Sequence, residues 1–120
     1  IGKATKQSID EFCYRQYQWA KNHRIPEEEM DYVTDDHLLK DMDVRCSQEG
    51  VAGNGALMRL APVPLYFYRH PPTAVEYAGQ SAKLTHGDIK AYDACRYYAA
   101  LIVATLDGES KDQLLADDFY

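Results

Sequence analysis

Apolar residues along this chain recur at helical spacing, and nowhere do they sustain the period-2 alternation of a half-buried strand. Between Ala4 and Lys21, the residues Ile9, Phe12, Cys13, Tyr17 and Ala20 fall near one face, with Lys, Gln and Arg elsewhere. That pattern predicts an amphipathic helix, preceded by Gly2 and stopped by Asn22 and Pro26. From Ile25 to Glu49 the chain is acidic and less regular. "IPEEEMDY" predicts a short helix with Pro26 at its first position and three glutamates at the positive end of the dipole. "TDDHLLKDM" predicts another, capped by Thr34 or Asp35. "CSQEGVAGNG" reads as loop up to Asn54. From Gly55 to Arg69, apolar side chains cover nearly all sides, which predicts a buried helix kinked at Pro62 and Pro64. His70-Pro71-Pro72 ends it. Thr73 then caps a helix to about Leu84, with Ala74, Val75, Tyr77, Ala78 and Ala82 available for close packing. "THGD" breaks the chain again. Asp88 opens the longest helix, Ile89 to Leu106, which Gly108 closes, and Ser110 begins a short terminal one. The reading is all-α.

Composition bounds what such a chain can do. At 120 residues it is one domain at most, or a fragment of one. Apolar residues are 46% and charged residues 27%, as in ordinary globular proteins. The net charge of −6 disfavours nucleic acid or an anionic membrane as the main partner, since phosphate backbones need a basic face. It leaves room for a small anion held by backbone N–H groups. Cys13, Cys46 and Cys95 are odd in number, widely spaced and without a C-x-x-C. This argues against a disulfide scaffold or a structural zinc site, and for a reducing, intracellular and cytoplasmic setting. No window reaches the roughly 18 apolar residues of a membrane span. The chain starts at Ile1 rather than Met, so a further segment is expected upstream.

Three glycines, Gly50, Gly53 and Gly55, gather just before the most apolar segment, with Asn54 between two of them. Glycines serve where the backbone takes φ > 0 or approaches something closely. A glycine loop feeding a helix start aims N–H groups at one point, which suits an anion such as phosphate. Asn54 can cap that helix or bond a sugar hydroxyl, and Arg59 falls a turn or more inside it. The plainer alternative is a tight loop with Asn54 as cap. It is not a Walker A loop, lacking Gly-Lys-Ser/Thr, nor a Rossmann fingerprint, lacking a preceding strand.

"GNGALMRLAPVPL" resembles the middle signature of the ADP-ribosylglycohydrolase family, of the dinitrogenase-reductase-activating glycohydrolase type. "HPPTAVEYAGQSAKLTHGDIKAYDAC" is similar to the same family's His-Pro, Ser-Ala-x-Leu-Thr-His and long-helix segment, and "IGKATKQSI" to its Gly-x-Thr-Thr-like helix start. The resemblance spans nearly the whole chain. It implies part of an orthogonal all-α bundle of about twice this length, hydrolysing the glycosidic bond of ADP-ribosylated substrates with Mg²⁺ or Mn²⁺. It implies that Gly50, Val51, Gly53, Asn54 and Gly55 lie along ADP-ribose, with His86 beside them. The partners it implies are ADP-ribose or an ADP-ribosylated protein.

The family's two acidic metal motifs are not matched. "VTDD" at 33–36 follows the "IGKATK" match instead of preceding it, and His37 stands in place of a final Thr, so Asp35 and Asp36 read as a cap and a solvated face. No metal ligand and no catalytic residue is assigned. The expectation is therefore a central segment that supplies an ADP-ribose-binding loop and is inactive alone. The alternatives are a non-catalytic ADP-ribose-binding module or a crystallin-like structural protein. An apolar helix with half its cover missing is expected to self-associate or to pair with the missing segments.

Overall fold

The computed structural model describes all residues, 1–120. The chain is all-α. Helix α1 (Lys3–Asn22) leads into a 3-10 helix (Glu27–Tyr32) and the short α2 (Asp36–Leu39). After a long loop come α3 (Gly55–Met58), α4 (Pro62–Tyr66), α5 (Pro71–Lys83), α6 (Ile89–Leu106) and α7 (Lys111–Leu114). No helix is long and apolar enough to cross a membrane.

The core sits between α5 and α6. Ala74, Ala78 and Ala82 on α5 and Ala91, Cys95, Ala99 and Val103 on α6 are all buried, each set at i,i+4 spacing. Such rows line one face of a helix, and their small side chains let the two backbones approach closely. Ala56 and Leu60 close one end of this core. Gly79 completes the fit, because a Cβ there would lie 2.4 Å from the Tyr92 ring of α6.

Two expectations change. The segment Gly55–Arg69 is two short helices, not one kinked rod. Pro62 and Pro64 fall at the start of α4, where a missing N–H is harmless, and the chain turns at Arg59–Ala61. The turn buries Leu60 fully but leaves Met58, Leu65 and Tyr66 exposed. Helix α5 starts at Pro71, with His70 as its N-cap, so Thr73 lies within the first turn. Asp88 caps α6 by accepting from the Lys90 N–H at 2.8 Å, and Ser110 forms a capping box with Gln113.

Helix α1 is attached differently. Its Ile9 and Tyr17 are exposed, and the buried residues are Ser8, Trp19 and Ala20. Polar contacts tie it down. Ser8 Oγ donates to the Thr85 carbonyl at 3.2 Å, Arg15 donates to the carbonyls of Asp43 and Arg45, and Trp19 Nε1 donates to the Leu38 carbonyl. The result is elongated, 56 × 29 × 20 Å, with a radius of gyration of 17.0 Å. A compact chain of this length has about 14 Å.

Candidate functional site

The loop before α3 is latched to the turn between α5 and α6. Gly87 donates its N–H to Ser47 Oγ at 3.1 Å, Asp88 donates its N–H to the Val51 carbonyl at 3.3 Å, and Gly50 donates to Asp88 Oδ2 at 3.0 Å. The approach is close. A Cβ on Gly87 would lie 2.6 Å from the Gln48 carbonyl oxygen, so only glycine fits without moving backbone. Gly50 takes φ +88°, which also favours glycine. The N–H donors on Asp88, from Lys90 first and Gly50 second, hold its carboxyl below the usual carboxylate range.

This latch carries Gly53 and Gly55 onto the imidazole of His86. A Cβ on Gly53 would lie 3.5 Å from Nε2, and one on Gly55 would lie 3.0 Å from Cε1 and 3.2 Å from Nε2. His86 is nearly fully buried, yet its Nε2 edge lines a cleft of about 390 Å³ with Gly53, Asn54, Gly55, Arg59, Lys3 and Thr5. No carboxylate lines this cleft. In a chain of net charge −6 that is a marked local excess of positive charge, from Lys3 and Arg59.

Behind His86 stands a hydrogen-bonded row. Arg59, at the C-terminal end of α3, donates to Ser81 Oγ at 2.9 Å, to the Ser81 carbonyl at 2.7 Å and to Thr85 Oγ1 at 2.8 Å. Thr85 Oγ1 lies 2.8 Å from His86 Nδ1. The guanidinium Nε is buried without a partner, and no carboxylate pairs with Arg59. Burial first, and the Arg59 charge second, push the His86 pKa below its ordinary value, so the ring is neutral at pH 7.

Of the six residues singled out from the sequence, Gly53, Asn54, Gly55 and His86 share this cleft. Gly50 and Val51 do not. Gly50 has its N–H engaged by Asp88, and Val51 faces a separate cleft with Arg15, Cys46 and Gln48. Asn54 is the N-cap residue of α3, but its side chain makes no cap bond. With four residues, α3 has little dipole, so the charge at the cleft rests on side chains. Sequence reading missed Thr5, Ser81 and Thr85. The i,i+4 spacing of Ser81 and Thr85, with an arginine before them, was the available signal.

The family model described as ADP-ribosylglycohydrolase matches residues 1–119. The chain belongs to the ADP-ribosylglycohydrolase family. No curated protein and no solved structure matches it. Membership in the ADP-ribosylglycohydrolases loosely implies a divalent metal, and the residues present do not fit one. No group of three or more His, Cys, Asp or Glu side chains comes together that could hold a metal ion. Asp35 is occupied as the N-cap of α2, accepting from the N–H groups of His37 and Leu38. His86 Nε2 lies against Gly53 and Gly55, and no carboxylate lines the cleft beside it.

Proposed function

We propose that this chain provides the ADP-ribose-binding part of an ADP-ribosylglycohydrolase, with the ligand held in the cleft of Gly53, Asn54, Gly55 and His86. The observation that carries this reading is the cleft's composition. It combines side-chain-free backbone, two cationic residues and a neutral imidazole, with no acidic residue, in an otherwise acidic chain. A diphosphate brings negative charge and many acceptors and no need for a carboxylate partner. Lys3 and Arg59 supply the field that draws it in. The bare edges of Gly53 and Gly55 let the His86 ring lie against the loop at the cleft, and Asn54 offers a free amide to a ribose hydroxyl. The physiological partner on this reading is ADP-ribose or an ADP-ribosylated protein. Holding the ADP-ribosyl group fast is what the chain contributes to glycosidic cleavage.

Calorimetric titration with ADP-ribose tests it, on the native sequence and on Gly53→Val and Asn54→Ala. Gly53→Val fills the cleft and is expected to weaken binding at least about tenfold, and Asn54→Ala by less. Binding should weaken as salt rises, because cationic side chains supply the attraction. The proposal falls if the folded chain takes up no ADP-ribose, or if Gly53→Val binds it as well as the native sequence does.

A further inference from the structure

We propose that Arg59 and Thr85 act as positioning residues that fix His86 as a neutral donor, with its proton on Nε2 and facing the cleft. The purpose of this device rests on the ligand site proposed above, but the device itself is a property of the chain alone.

The assignment follows from counting donors and acceptors. Thr85 Oγ1 has one proton and two lone pairs. Arg59 has no lone pair to offer, so its Nη2 must donate to Thr85 Oγ1. The hydroxyl proton then needs an acceptor. Thr85 Oγ1 has only one other hydrogen-bond partner, His86 Nδ1 at 2.8 Å. If Nδ1 carried a proton, both sides of that contact would be donors to the hydroxyl oxygen. The Thr85 proton would be left without an acceptor in a part-buried site, which costs more than the bond is worth. With Nδ1 bare, the row runs Arg59 N–H to Thr85 oxygen, Thr85 O–H to Nδ1, and both the hydroxyl proton and the Nδ1 lone pair are satisfied. A doubly protonated ring is opposed by burial and by the guanidinium nearby. The remaining proton is then on Nε2, the atom that faces Gly53 and Gly55 and makes no bond within the chain.

A chemical role follows. His86 offers a ligand a hydrogen bond and has no free lone pair on the cleft side. It selects an acceptor, such as a phosphate or hydroxyl oxygen, and it cannot serve there as a general base or a metal ligand. Arg59 cannot be replaced by lysine without loss, since its three contacts need the forked geometry of a guanidinium.

The test is ¹⁵N NMR of the imidazole rings, whose two nitrogen shifts report the tautomer directly. The native chain should show His86 as the Nε2–H tautomer. Thr85→Val keeps the shape of the side chain and removes the hydroxyl, and it should give a mixture of tautomers; Thr85→Ser should restore the native pattern. An Nδ1–H ring in the native chain would overturn the proposal without any variant. So would a Thr85→Val spectrum unchanged from the native one. ADP-ribose titration separates this from the function proposed above. If the Nε2–H tautomer is found and ADP-ribose does not bind, the ligand reading fails and the positioning role stands. If ADP-ribose binds, Thr85→Val should weaken it several-fold and Thr85→Ser should recover most of the loss.

Discussion

The two halves of this molecule are held by different forces. From α3 onward, helices meet through apolar surface, and twelve of the 16 buried residues lie there. Before α3, only Ser8, Trp19, Ala20 and Cys46 are buried, and attachment runs through hydrogen bonds to backbone carbonyls. Apolar burial is worth about 25 cal/mol per Å² and tolerates small shifts. A hydrogen bond nets about 1 kcal/mol and depends on direction. The first half should therefore loosen before the second, and the candidate site lies where the two meet, with Thr5 on one side and His86 on the other.

The largest expected effect breaks the helical core. Leu60 is fully buried against Ala56, Ala78 and Cys95, and Leu60→Ala should destabilise the chain by about 2–5 kcal/mol in urea unfolding. It should lower protection from amide exchange in both halves, because α1 is bonded through Ser8 to Thr85, in the turn that α5 and α6 hold in place. Gly87→Ala comes next, at about 1–3 kcal/mol, since the added Cβ meets backbone. Its signature is regional. Exchange should accelerate in α1 and in residues 46–54 while α5 and α6 stay protected; equal acceleration everywhere would mean that the halves unfold as one. Ser8→Ala is smaller, about 1 kcal/mol, and should loosen α1 alone. The gentlest effect is a slope with pH. The native pKa of His86 lies below the unfolded value of about 6.5. The unfolded chain thus takes up the proton first, so stability is full above about pH 6.5 and declines as the pH falls toward the native pKa. His86→Gln should flatten that decline in a pH series of unfolding midpoints.

The same division explains what could be read in advance. Asp88, Ser110 and the boundaries of α6 were legible because caps and helical periodicity are local. The alanines of α5 were legible because i,i+4 spacing marks one face. Arg59 was not, because its place depends on a turn at Leu60 that two prolines allow and do not dictate. The apolar stripe of α1 misled, since periodicity says which residues share a face and not whether anything covers it. Ile9 and Phe12 line an apolar groove with Val44 and Leu84 instead of a filled core. In the site, the meeting of the glycine loop with His86 was legible only through the family resemblance. In the row behind the imidazole, the spacing of Ser81 and Thr85 was legible, but the contact that brings Arg59 at the end of α3 onto them was not.

The alanine rows of α5 and α6 also bear on how the chain assembles in time. Alanine has no rotamers to order, so closing that seam gives up almost no side-chain freedom. The two helices are neighbours in sequence, joined by the five residues 84–88, and contacts at such short separation form fast. The pair is thus expected to be the folding nucleus, complete before the long loop has found the turn at Gly87. His86, lying in that turn, would be in place before the glycines arrive to cover it.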